Sequence, residues 1–437
     1  MSYLLDALYL LTLIVFSPWL LYKSLTTGKY RRGLWRKLTG QTPARTDARP
    51  CAWFHGVSVG EIHLLRQLVA AFRQRHSDWL CVISTTTDTG FEEASKRFAD
   101  LPVFFWPLDF SWAVRRALRR VKPSLVVLAE GELWPNFLIA ARNAGIPVAV
   151  VNGRMSPRSA RRYSLLGAMA RRLFACVDLI AAQTEEYAVG YRALGATAER
   201  VHVTGSVKFD GVEGDRNNPR TRELARLLSI QPGDPVWIAG STQAPEEEIT
   251  LEIFRRARTD HPRLRLILVP RQRERFDEVA ALLRRSGQDF QRRSELHLFA
   301  PAPLLPIILV DTIGELGALW GLADVAFVGG SLDGRRGGQN MIEPAAYGAA
   351  VVFGPHIWNF REIAARLVQA GAAVQVTDAA TLETAVRLLL ADSGQRERLG
   401  IAARRFAREQ QGATERTVDL IQELLRSRGL LTHRQVA

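Results

Sequence analysis

The chain predicts an α/β fold, two Rossmann-like doubly wound domains around a cleft, preceded by an N-terminal membrane-anchor helix. Three observations carry this. Short apolar runs alternate with amphipathic helical stretches, the mark of a parallel sheet covered on both faces. A polar, turn-rich segment, GVEGDRNNP at 211–219, divides two sets of such runs. An apolar stretch, Leu4 to Tyr22, opens the chain and is followed by Lys23, Lys29, Arg31, Arg32, Arg36 and Lys37.

The opening stretch carries its positive charge after the apolar run and has no small-residue cleavage site, so it does not read as a secretory signal. It is slightly short of the roughly 20 residues that span a bilayer. It reads as an uncleaved anchor over 1–24, either spanning with its N-terminus outside or lying in the interface. The basic flank leaves the remainder in the cytoplasm. The expected location is the inner (cytoplasmic) membrane, with the domains on its cytoplasmic face.

A first domain is expected over 40–210, with strands at Ala52–Phe54, Leu80–Ser84, Val103–Trp106, Leu125–Ala129, Val148–Val151, Leu179–Ala182 and Val201–Thr204. A linker is expected over 211–232. The second domain, 233–427, has strands at Val236–Ala239, Leu264–Val269, Ile307–Val310, Val325–Val328, Ala350–Phe353 and Ala373–Val376, and arginine-rich helices close it. This layout suits sugar transferases, periplasmic-type binding proteins and some epimerases. A cytoplasmic anchor and basic charge disfavour the binding proteins.

The chain has 437 residues, a formal net charge of +14 and a hydrophobic share of 47%. Such a balance asks for an anionic partner. The excess is arginine spread over helices, with no nucleic-acid-binding motif, so a membrane surface is expected rather than nucleic acid. Three cysteines, Cys51, Cys81 and Cys176, lack metal-site or disulfide-framework spacing.

The motifs with chemistry stand at strand ends. HGVSVGE (His55–Glu61) joins an apolar strand to a helix whose Ile62, Leu65, Leu68, Val69 and Phe72 recur at helical spacing. Glu61 either removes a proton from a bound hydroxyl or caps its own helix, where the dipole favours negative charge. AEGELWPN (Ala129–Asn136) brings Glu130 and Glu132 to another strand end, and TGSVKFD (Thr204–Asp210) brings Lys208. In the second domain, Gly240-Ser241-Thr242 precedes Glu246, Glu247 and Glu248. Pro270-Arg271, with Arg275, offers guanidinium donors for a phosphate. The glycine-rich loop Gly329-Gly330-Ser331, leading to Gly337–Pro344, is expected to cradle phosphate on free backbone N–H groups. No D-x-D occurs, so no metal bridging a diphosphate is indicated.

Taken together these residues resemble the bacterial Kdo transferases, which move 3-deoxy-D-manno-octulosonic acid (Kdo) from CMP-Kdo to a lipid A precursor. The resemblance runs through the apolar N-terminus, HGVSVGE, AEGELWPN, NGRMSPRSARRY (Asn152–Tyr163), TGSVKFD, the strand-end Pro-Arg pair and GGQNMIEP (Gly337–Pro344). It implies a fold of the GT-B type and a metal-independent, inverting enzyme with no cofactor beyond the donor substrate. Glu61 is then the general base, and Glu130 and Lys208 stabilise the transition state. CMP is implied to sit at Pro270 and Arg271, at Gly314, Glu315 and Leu316, and at Asn340, Met341, Ile342 and Glu343. The implied acceptor is lipid IVA, at an anionic inner-membrane surface. Three positions depart from the family pattern: Gln243, Gln272 and Gln339 stand where His is usual, and Gln cannot become cationic. Arg154, Arg158, Arg161, Arg162, Arg171 and Arg172, interleaved with Leu165, Leu166 and Met169, form a basic amphipathic segment suited to anionic headgroups. A UDP-sugar transferase and a basic non-enzymatic scaffold are the competing readings.

Overall fold

The computed structural model describes residues 2–27, 33–131, 133–297 and 305–431. Glu132 and the basic residues Lys29, Arg31 and Arg32 lie outside them. The chain divides into two compact units, Met1–Asp210 with Gln411–Ala437, and Gly211–Gln410.

The first unit holds a seven-stranded parallel sheet: β1 (Cys51–His55), β2 (Leu80–Thr85), β3 (Val103–Phe105), β4 (Leu125–Ala129), β5 (Val148–Gly153), β6 (Leu179–Ala182) and β7 (Val201–Val203). Its order is β3-β2-β1-β4-β5-β6-β7. The second unit repeats the plan with β8 (Val236–Thr242), β9 (Arg265–Pro270), β10 (Phe290–Arg292), β11 (Ile307–Leu309), β12 (Val325–Val328), β13 (Ala350–Phe353) and β14 (Ala373–Gln375). Here the order is β10-β11-β9-β8-β12-β13-β14, again parallel. Every strand expected from the apolar runs is present. β10 was not expected, because its sequence, Phe-Gln-Arg, is a half-buried edge with no apolar run.

Fully buried side chains, chiefly Val, Leu and Ala, fill β4, β5, β12 and β13, and β1 buries all of Cys51–His55, which is why these runs are continuous rather than alternating. Helices cover both faces. The helix Val59–Arg75 buries Ile62, Leu65, Leu68, Val69 and Phe72 against β1, β2 and β4. On the other face Trp53, Phe104, Trp106 and Phe137 interlock, with ring centroids 4.2–5.5 Å apart.

Two expected boundaries are corrected. The segment 211–232 is not a free linker but part of the second unit. Asn218 caps the helix Pro219–Leu227, Pro219 sits at its first turn, and Leu224 and Leu227 are buried. Arg216 and Thr221 then tie this segment to the carbonyls of Ala323, Tyr347 and Ala318. The second domain also does not run to 427. The last helix, Ala413–Ser427, returns to the first unit and buries Ala413, Val418, Ile421 and Leu425 beside Leu65 and Phe72. Asp210 accepts from the backbone N–H groups of Gly412 and Thr414 at that helix's start, and Arg416 donates to the Thr204 carbonyl at 2.7 Å. Periodicity alone could not show which sheet this amphipathic helix covers.

Candidate functional site

In the first sheet the strand order reverses between β1 and β4, and the crevice outside their carboxyl ends is the usual ligand position in an open α/β sheet. Glu61 follows β1 and Glu130 follows β4, so both stand at this switch point. Glu61 is buried. Its carboxylate accepts from the Val57 N–H at 2.8 Å and from the Ser58 hydroxyl at 3.0 Å, while Ser58 accepts from the Glu61 N–H at 3.4 Å. This is a reciprocal cap, so the capping role that the motif suggested is real. It also fixes the carboxylate's position.

Glu130 and Lys208 form an ion pair at 3.0 Å and are one-quarter and one-third exposed. Asn152, at the end of β5, holds this pair. Its Nδ2 donates to Glu130 Oε1 at 3.2 Å, and its Oδ1 accepts from the Val207 N–H at 3.0 Å. The short turn Val207–Phe209 that carries Lys208 packs Val207 into the core shared with Leu65, and Gln67 donates to the Asp210 carbonyl at 2.7 Å. Sequence reasoning gave Asn152 no role. The signal available was Asn-Gly at a strand end: Asn152 has φ 52°, and Glu130 has φ 56°. Non-glycine residues in the left-handed region cost of order 1–3 kcal/mol and gather at functional sites.

Beneath this cluster His55 is fully enclosed. Its Nδ1 lies 3.0 Å from the Ser84 hydroxyl and 3.1 Å from the Ser84 carbonyl, and its ring stacks on Trp106 at 3.9 Å. Burial pulls its pKa down to about 3, so it is a neutral structural residue at physiological pH.

The second sheet reverses between β8 and β12. There Glu246 is fully buried and accepts from the N–H groups of Gly330 at 2.7 Å, Ser331 at 2.9 Å, Leu332 at 3.0 Å and Gln243 at 2.9 Å. The expectation that Gly329-Gly330-Ser331 cradles phosphate is therefore corrected, because its donors are spent on an internal carboxylate. Gly329 is required for the approach: a Cβ there would stand 2.7 Å from Glu246 Oε2 and from Thr242 Cα. Glu247, expected only to compensate a dipole, is buried against Arg275 at 2.6 Å, which also pairs with Glu278 at 3.1 Å. Arg275 is thus a structural cation.

The donor positions divide likewise. Arg271 is exposed beyond β9, and Pro270 is buried in it. Glu343 accepts from Asn340 Nδ2 at 2.9 Å, and Asn340 Oδ1 accepts from the Ile342 N–H at 3.0 Å. Burial pushes the Glu343 carboxyl up, opposed by Asn340 and by the charge of Arg271, so these three form one electrostatic group. Glu343 Oε2 lies 3.8 Å from the position of a Cβ on Gly317, which places it beside Gly314–Leu316. Within that turn Glu315 faces inward, paired with Arg220 at 2.6 Å and Arg293 at 2.8 Å. Met341 and Ile342 are core side chains with at most 1% exposure, so only their backbone can meet a ligand. Gln243 is buried, Gln339 reaches toward Gly330, and Gln272 lies on the loop after β9.

The family model for 3-deoxy-D-manno-octulosonic-acid transferase (kdotransferase) matches residues 30–211. The 3-deoxy-D-manno-octulosonic acid transferase of Haemophilus influenzae is 37% identical over 85% of this chain and 87% of its own length. That of Bordetella pertussis is 37% identical over 88% and 90%. The chain belongs to the Kdo transferase family. Among solved structures, a putative UDP-N-acetylglucosamine 2-epimerase from Listeria monocytogenes aligns with a TM-score of 0.57 at 13% identity, covering 87% of this chain and 98% of that one. The corresponding epimerase from Neisseria meningitidis gives 0.56 at 13%, covering 86% and 100%. At that identity they speak to the fold alone, which is of the GT-B type.

On the surface of this Kdo transferase, Arg158, Arg161, Arg162, Arg171 and Arg172 are all exposed on the helices Pro157–Ser164 and Ala168–Phe174. Leu165 between them is 83% exposed. Among the described residues, no three His, Cys, Asp or Glu side chains converge as metal ligands would.

Proposed function

We propose that this Kdo transferase moves Kdo from CMP-Kdo to the lipid A precursor lipid IVA, with inversion and without a metal, in lipopolysaccharide inner-core biosynthesis. The observation that carries the reading is the cluster at the β1/β4 switch point, where a fixed carboxylate, Glu61, neighbours the strand end bearing the Glu130–Lys208 pair. Glu61 accepts the proton of the attacking glucosamine hydroxyl as the new C–O bond forms at the anomeric carbon. The bond to the phosphate breaks and CMP leaves with the electron pair. Lys208 and Glu130 stabilise the charges that develop, and Asn152 holds them in place. General-base assistance of this kind contributes about 10²–10⁴-fold.

CMP is held on the second unit by Arg271, Asn340, Glu343 and the backbone of Gly314–Leu316. Glu343, with its carboxyl biased toward the protonated form by burial, suits a neutral hydroxyl such as those of a ribose. The acceptor stays in the bilayer, and two surfaces support membrane contact. One is the exposed arginine segment around Leu165. The other is the N-terminal helix, whose Ser2–Trp19 stretch is long and apolar enough to cross a membrane.

Mass spectrometry of lipid IVA after incubation with CMP-Kdo tests the reading and counts the additions. A mass gain of one or more Kdo residues is expected. No product from CMP-Kdo, with product from a UDP-sugar, would replace this donor assignment.

A further inference from the structure

The chain leaves the first unit and returns to it at three consecutive residues. Near the start of the apolar helix Ser2–Thr27, Asp6 is 5% exposed and accepts from the Ser111 N–H at 2.8 Å and the Ser111 hydroxyl at 2.6 Å. Asn136 Nδ2 donates to the same carboxylate at 3.1 Å. Ser111 and Asn136 belong to the first turns of the helices Ser111–Val121 and Pro135–Asn143, where a carboxylate is favoured. Tyr9 donates to Asp109 at 3.1 Å and packs edge-on against Phe110. After the apolar stretch, Trp112 donates to the Leu38 carbonyl at 3.0 Å, and Gly40 packs so closely on the Ala113 carbonyl that a Cβ would stand 1.9 Å from it. Lys37 donates to the Thr86 carbonyl at 2.8 Å and lies over the Phe105 ring at 4.2 Å.

Ser111 therefore holds the N-terminal part of the apolar helix, and Trp112 and Ala113 hold the chain after it. Both ends of the helix are on one side of any bilayer. A single crossing would put them on opposite sides. A crossing with immediate return is also excluded by length. From Tyr9 to Thr27 the helix rises about 27 Å at about 1.5 Å per residue, close to the roughly 30 Å hydrocarbon core. The six steps from Thr27 to Gly33 reach at most about 21 Å fully extended. They would also draw the charged Lys29, Arg31 and Arg32 through hydrocarbon, which is costly.

We infer that the helix Ser2–Thr27 does not span the membrane but is embedded in the one leaflet that faces the transferase units, held to them by Asp6 and Tyr9. The inference rests on the membrane attachment argued above. Leu11, Ile14, Val15, Phe16, Trp19 and Tyr22 are 49–66% exposed on it and have lipid as their natural partner. Trp35 at 71% and Trp112 at 45% exposure stand beside its return point, where aromatic rings mark a headgroup boundary. Lys23, over the Trp19 ring at 5.4 Å, and the basic flank after it match anionic headgroups.

The test is two-sided labelling of the full chain in sealed vesicles of both orientations, using a membrane-impermeant maleimide. Ser2→Cys reports the helix end, and Arg405→Cys, on an exposed helix face of the second unit, reports the transferase side. The native cysteines are buried and give little background. The expected result is that both positions react in inverted vesicles and neither reacts in right-side-out vesicles until detergent is added. Reaction of Ser2→Cys from the face opposite to Arg405→Cys would overturn the inference and leave membrane attachment standing. Release of the whole chain from vesicles by a low-salt wash would bring down the attachment itself, and the inference with it.

Discussion

The two sheets reverse their strand order at equivalent places, and each has a glutamate there, but the two glutamates do opposite work. At the β1/β4 point, Glu61 accepts from the Val57 N–H and the Ser58 hydroxyl, and its neighbour Glu130 is paired with a partly exposed lysine. At the β8/β12 point, Glu246 is fully buried and accepts from four backbone N–H groups that a phosphate could otherwise have used. The difference teaches that a glycine-rich turn at a switch point is not by itself an anion site. What decides is whether the chain supplies its own anion.

The largest effect should come from the first point. Glu61→Gln keeps one oxygen acceptor for the cap and removes the base, so turnover is expected to fall by about 10²–10⁴-fold with the melting temperature nearly kept. Ser58→Ala removes the hydroxyl partner of the same carboxylate and should cost about 1 kcal/mol of stability with a far smaller loss of turnover. Equal, small losses from both substitutions would leave Glu61 as a cap only and erase the contrast between the two switch points. Steady-state rates with CMP-Kdo, beside thermal melts, give both quantities.

The second point should fail in the opposite way. Glu246→Gln places an amide NH₂ against backbone donors and leaves at least one of them unsatisfied in the interior. A buried orphan donor costs about 1–3 kcal/mol, so the melting temperature should drop. The remaining folded protein should keep its turnover, because no reacting group has been removed. A stable variant with lost turnover would mean that Glu246 belongs to the chemistry and that the two points are alike.

Much of this was legible in the amino-acid order. Continuous apolar runs marked the strands because strands buried on both faces need no polar residues, and the motifs put Glu61, Glu130 and Lys208 after the carboxyl ends of β1, β4 and β7. The missing parts are those that depend on partners far away in sequence. Asn152 acquires its role by touching Glu130 and Val207, respectively 22 and 55 residues away. Glu246 takes the donors of a loop 84–86 residues later. Arg275 and Glu315 looked available for a nucleotide, yet each is consumed by an ion pair that no local pattern announces. The closing helix has an ordinary amphipathic face, and only Asp210 and Arg416 show to which unit it belongs.

A last contrast separates the units by acid. His55, under the first switch point, has its pKa lowered by burial to about 3, against about 6.5 in an unfolded chain. Its folded value is depressed, so its contribution is complete above pH 6.5 and is lost as pH falls toward 3, at about 1.4 kcal/mol per pH unit. Glu246 has the reverse sign, since burial raises its carboxyl and protonation favours the folded form as pH falls. Asp109, in the first unit, is raised by burial to about 6 and opposes His55 over part of the window. The informative measurement is therefore the difference between the parent and His55→Gln in denaturant unfolding at pH 7, 6 and 5. The variant should be less stable at pH 7, and the gap should narrow as the pH drops, because the parent alone loses the histidine contribution. A gap that is constant with pH would show that His55 titrates normally. In that case the floor of the first switch point would be wet rather than sealed under Trp106, and the sharper of its differences from the second would disappear.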